Sequence, residues 1–139
     1  MHRDQDFLMR QVHAFAAGLL RTLGAKTHVE EEDECDLLER ELEVRIGFPF
    51  DVVKGMALHA LVDFLSVEGK ADADRMLLCG LIFARRSVQE SNERHRVLAL
   101  ALVVRAIETK PQLLDEQISG VLDALADETS SAMNTPANR

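Results

Sequence analysis

A chain of 139 residues, 47% apolar and 29% charged, has the balance of one soluble globular domain, long enough to bury about two-thirds of its unfolded surface. That composition excludes a disordered chain, and the longest unbroken apolar stretch, MLLCGLIFA at 76–84, is too short to span a bilayer. The net charge of −8 is concentrated: residues 30–43 carry nine acids against Arg40 alone, while 75–105 carry six arginines against Glu90 and Glu93. Such a dipole steers partners and disfavours non-specific contact with nucleic acid.

Taken in chain order, every periodic segment has the helical period. Leu8, Val12, Phe15, Leu19 and Leu23 form one stripe on a first helix, ended by Gly24. Cys35, Leu38, Leu42 and Ile46 make a narrower stripe on a second, ended by Gly47 and Pro49. A third helix is expected near 50–67, apolar almost all round and so mostly buried, with Asp51, Gly55, His59 and Asp63 along one thin polar strip. EGKADAD punctuates the chain, Gly69 closing one helix and Asp72 capping the next. Residues 73–90 and VLALALVV at 97–104 read as a fourth and a fifth helix, the latter ending before Pro111. Leu114, Ile118, Val121 and Leu125 mark a last amphipathic helix, and ETSSAMNTPANR reads as a frayed, flexible tail. The expectation is all-α: about six helices in a single domain over 1–127, with 111–127 as a capping helix and 128–139 as tail.

The fourth and fifth helices carry a resemblance. Ala99, Val103, Ala106 and Pro111 match the small, large, small and closing-proline offsets of the second helix of a tetratricopeptide unit. Met76, Cys79, Gly80 and Phe83 fit its first helix. Residues 73–110 thus resemble a tetratricopeptide pair whose Gly80-to-Ala99 spacing is seven residues longer than the repeat, close to two helical turns. The aromatic anchors of the repeat are missing, as the chain has no Trp or Tyr. With its RDQDFLMRQV start, the chain as a whole is similar to a bacterial family of small helical proteins of unknown function. The resemblance implies a tetratricopeptide-like α-fold packed on an N-terminal helical part, a cytoplasmic setting and no assigned activity. One repeat cannot bury its own faces, so the other helices or a second chain must cover it.

Catalytic patterns do not assemble in the sequence. There is no nucleophile elbow or Gly-rich phosphate loop, and the five histidines never occur as HxxxH or HExxH. HVE at 28–30 has the first half of a deaminase zinc motif without its PCxxC half. Cys79 sits in an apolar run that should leave its thiol inert, and Cys35 and Cys79 lack a CxxC, which fits two reduced thiols in a cytoplasm. The charged opening MHRDQDF has no secretory character. Arg85, Arg86, Arg94 and Arg96 lack interleaved aromatics, so they read as helix-end charges rather than a nucleic-acid surface. The acidic run at 30–34 suits a helix start, and Asp36–Arg40 and Glu41–Arg45 have i,i+4 spacing.

Two functions remain. The first is an interaction or scaffold protein acting through a protein partner or as a homodimer, with no cofactor, metal, nucleic acid or membrane. Its candidate surface is Phe7, Phe15 and Leu19, on a first helix apolar on more than one face, together with the surplus acids Glu30, Glu31, Glu32 and Asp33. The alternative is a small-molecule or metal-binding enzyme with a site between helices around His59 and Asp63, four residues apart.

Overall fold

The computed structural model describes the backbone at residues 2–24 and 29–137, and side chains at 9–20, 36–37, 39–70 and 72–126. Among them the elements are α1 (His2–Gly24), α2 (Val29–Ile46), α3 (Phe50–Val53), α4 (Leu58–Phe64), α5 (Ala73–Gln89), α6 (Glu93–Thr109) and α7 (Glu116–Ala137). A 3-10 turn spans Pro111–Leu113, and β1 (Ser66–Val67) pairs antiparallel with β2 (Lys70–Ala71) in a ribbon of two residues a side. The fold is all-α.

Helix α5 is the centre. Asp72 caps it, Oδ1 accepting from the Arg75 amide at 3.2 Å, and every residue from Met76 to Arg85 is buried. A helix apolar all round is stable only when neighbours cover it on every side. Helix α6 returns antiparallel along α5 after a turn at Glu90–Asn92, in which Ser91 takes φ 50 and the Asn92 side chain accepts from the His95 amide at 3.1 Å. The two helices touch closely at Gly80, where an added Cβ would stand 2.8 Å from Val103 Cγ2 and 3.3 Å from the Ala99 carbonyl oxygen.

Three elements close the core around this pair. Helix α1 packs on α2, α5 and α7, burying Val12, Phe15, Ala16 and Leu19. Helix α7 lies on α1 and α6, burying Ile118, Val121 and Leu125. Helix α2 lies across α1 and α5, burying Leu42 and Ile46 before Gly47 ends it at φ 102. Each fully buried side chain of this size contributes about 1.5–3 kcal/mol of transfer free energy.

Four local expectations are corrected. The third helix is two helices, α3 and α4, because the chain is extended at Ala57 (φ −74, ψ 160). Arg94 secures the break, its guanidinium donating to the Lys54 and Met56 carbonyls that a continuous helix would bond internally. That stretch is also not mostly buried, since Val52 and Phe64 are exposed. Gly69 closes a hairpin and not a helix: Glu68 and Gly69, at φ 53 and 80, make the two-residue left-handed turn that matches strand twist. Leu114 is exposed while Leu113 is buried, because the 3-10 turn delays α7 until Glu116, where Asp115 Oδ1 accepts from the Ile118 amide at 2.9 Å. The side chains of Leu8, Leu23, Cys35 and Leu38 and those from 127 onward lie outside the described ones, while the backbone of 128–137, expected as a flexible tail, is the last part of α7.

Candidate functional site

The residues expected to form a surface separate into two groups. Phe15 and Leu19 are fully buried within the protomer and face α1's own neighbours, which corrects their assignment to an interaction surface. The amphipathic stripe that predicts them is the core stripe of α1, spent inside the chain. Phe7, Glu30, Glu31, Glu32 and Asp33 lie outside the described side chains. His59 and Asp63 are both exposed on α4, and neither side chain makes a hydrogen bond or ion pair among the described residues.

The acidic segment does have a described role at its C-terminal half. Arg85 Nη2 donates to Asp36 Oδ1 at 2.6 Å, and Arg85 Nη1 to Glu39 Oε1 at 2.9 Å. Arg86 donates to the other oxygen, Glu39 Oε2, through Nε at 3.2 Å and Nη2 at 2.7 Å. One buried carboxylate is therefore forked by two guanidinium groups, the planar geometry that suits arginine. Burial opposes the charge on Arg85, but its hydrogen bonds to Asp36 and Glu39 and their negative charges outweigh it, and the guanidinium is held above its ordinary value. Arg86 is shifted the same way, burial again opposed by Glu39 and further by Glu90 and Glu43. Asp36 therefore turns to Arg85, on a different helix from the expected Arg40.

Aromatic rings line this cluster. The Arg86 guanidinium stands 5.0 Å from the Phe50 ring centre, and Phe50 meets Phe83 edge-on at 4.8 Å. The buried His95 ring lies edge-on to both, 5.7 Å from Phe50 and 5.2 Å from Phe83. Its Nδ1 stands 3.5 Å from Glu90 Oε1 and makes no hydrogen bond. Glu43 Oε2 accepts from the Phe50 amide at 2.7 Å, fastening the start of α3 to α2. These contacts join α2, α3, α5 and α6. The charges are consumed in holding helices together.

Chemistry at Cys79 is suppressed. Desolvation by burial pushes its thiol up to about 12, against a smaller opposite pull from Arg75, so almost no thiolate exists at neutral pH. Among the described residues no three His, Cys, Asp or Glu side chains converge to hold a metal ion, and no helix is long and apolar enough to cross a membrane.

Among the described residues Val52, Phe64, Val67 and Leu114 are exposed singly, while two helices each carry an exposed apolar pair. On α2, Leu37 and Val44 are 62% and 80% exposed. Val44 borders a groove of ≈ 450 Å³ with Arg40, Glu43, Gly47, Phe48 and Pro49. On α6, Val97 and Val104 are 50% and 38% exposed, with Leu100, Ala101 and Ile107 half-buried beside them. Both exposed pairs have a spacing of seven, two turns of helix, so each lies along one line of its helix. Sequence reading missed the α6 pair because VLALALVV is apolar throughout, and only the packing reveals which of its positions the core leaves uncovered. Comparison with protein families, with characterised proteins and with solved structures finds no match to this chain.

Proposed function

We propose that this chain is a helical interaction or scaffold protein, tetratricopeptide-like in its α5–α6 pair, that acts through protein–protein contacts, a second copy of itself included. The observation that carries this reading is the exposed apolar pair on each of two helices, Leu37 with Val44 and Val97 with Val104. Single exposed apolar residues are ordinary, but pairs two turns apart form a line that another helix can cover. The Gly80 contact supports the tetratricopeptide-like part of the reading, because small residues bring α5 and α6 together where that motif closes its pair. Membership of a small bacterial helical family and a cytoplasmic setting belong to the same proposal.

The experiment is gel filtration of a gentle extract of the native host, with the chain detected by antibody. Elution well above the monomer mass, shifted downward by Val44→Glu or Val97→Glu, is the expected result. Elution at monomer mass for the unmodified chain would remove the reading.

A further inference from the structure

The exposed face of α6 has a symmetry that selects its occupant. Its exposed positions include Arg94, Val97, Val104, Arg105 and Glu108, with half-buried Ala101 among them and Glu93 paired with Arg96. Ala101 is the midpoint: Arg94 lies seven residues before it and Glu108 seven after. Seven residues are close to two turns, so all three share one line, with about 20 Å between the outer two. The smallest side chain of the row stands at the centre, where two helices crossing at a twofold axis approach most closely.

The ends of the row carry opposite, uncompensated charges. Arg94 donates only to neutral acceptors, the Lys54 carbonyl at 3.1 Å and the Met56 carbonyl at 2.5 Å. Glu108 has no ion-pair partner among the described residues. Both are exposed. A second α6 laid antiparallel about Ala101 brings each position n before the centre against the position n after it. Arg94 of each copy then faces Glu108 of the other, while Val97 lies beside Val104 and the aliphatic stem of Arg105. A parallel arrangement would instead set Arg94 against Arg94 and Glu108 against Glu108. The charges therefore favour one orientation and disfavour the other.

We infer that the outer face of α6 is a self-association seam on which a second copy of this chain packs antiparallel, pivoting at Ala101 and joined by two reciprocal Arg94–Glu108 ion pairs. This rests on the interaction reading above and specifies its partner and face. The interface is isologous, so it closes at a dimer and leaves no free end for filament growth. One helix face is smaller than the roughly 1,200–2,000 Å² total of a stable interface, so the dimer is concentration-dependent and not obligate.

The test is sedimentation velocity of the full chain over a wide concentration range, with circular dichroism to confirm folding of each variant. The unmodified chain should pass from monomer to dimer as concentration rises. Glu108→Arg, at an exposed residue without a partner, should weaken the dimer by about tenfold, since it reverses both symmetric pairs. Adding Arg94→Glu to Glu108→Arg should restore it even though Arg94→Glu also gives up the bonds to the Lys54 and Met56 carbonyls, a recovery that a loss of structure would not give. In a Cys35→Ser background, Ala101→Cys should cross-link into dimers on mild oxidation and Val44→Cys should not. A chain monomeric at every concentration would overturn the inference. So would a dimer indifferent to Glu108→Arg and cross-linked through Val44→Cys. That second result would leave the interaction reading standing with its face on α2.

Discussion

Arg85 Nη1 and Glu39 Oε1 meet at 2.9 Å with side chains only 3% and 6% exposed, a salt bridge inside the molecule between residues 46 positions apart. It joins the acidic early segment to the basic later one, so part of the dipole in the sequence is cancelled on folding. Removing such a pair from water is costly, and it is repaid here by geometry: both Glu39 oxygens and both outer Arg85 nitrogens are occupied.

Glu39→Ala should therefore destabilise the fold by up to about 3–5 kcal/mol, because buried Arg85 keeps only the half-exposed Asp36 and Arg86 loses its principal acceptor. The double replacement Glu39→Leu with Arg85→Met removes both charges and should recover most of that loss. Urea unfolding of the three proteins checks this. If Glu39→Ala costs less than about 1 kcal/mol, the buried pair behaves as an exposed one and its burial is not what holds α2 to α5.

Gly80→Ala tests the closeness of α5 and α6. The new methyl would stand 2.8 Å from Val103 Cγ2, 3.1 Å from Leu102 Cβ and 3.3 Å from the Ala99 carbonyl oxygen. The last two cannot rotate away, so the helices must part. Overpacking of this kind costs about 1–3 kcal/mol, against a gain of about 1 kcal/mol in helix propensity. A net loss in thermal unfolding, partly relieved by adding Val103→Ala, is the expected outcome; a net gain would mean that the pair separates freely.

The turn between the same helices offers changes of opposite sign. Asn92→Ala deletes the side-chain acceptor of the His95 amide at the start of α6 and should cost about 1 kcal/mol. Ser91→Gly relieves a left-handed residue at φ 50 and should gain up to about 1 kcal/mol. Measured side by side by denaturant midpoint, the two should fall on either side of the unmodified chain.

How far the sequence could be read follows from the range of each interaction. The stripes holding Val12, Phe15 and Leu19, then Leu42 and Ile46, then Ile118, Val121 and Leu125 are local patterns, and all of these residues are in the core. The α5–α6 hairpin was legible for the same reason. What was not legible depends on contacts across the fold. Arg94 supports the break between α3 and α4 from 38 residues away, and strands of two residues give no alternation by which β1 and β2 could be seen. Asp36 and Glu39 show an acidic helix, but their partners lie on α5, beyond any local window. The stripe of Phe15 and Leu19 is legible but its burial is not, because periodicity finds a face without saying what covers it.

Burial of Cys79 has a consequence at high pH. Its thiol is pushed up to about 12 in the folded chain, chiefly by desolvation, against an ordinary value of 9.0. The unfolded chain therefore releases this proton first as pH rises above 9, which favours unfolding. The contribution of Cys79 to stability is fully present below pH 9 and is lost progressively as pH approaches 12. In a Cys35→Ser background, stability measured between pH 8 and 10.5 should fall more steeply than in a chain that also carries Cys79→Ala, whose position has no proton to lose. The same burial should protect the thiol from alkylation. Iodoacetamide at pH 8 should label Cys79 only through transient unfolding, so that labelling rises sharply in denaturant. Labelling of the native chain at the rate of a free thiol would mean that the α5 core opens far more readily than its packing implies.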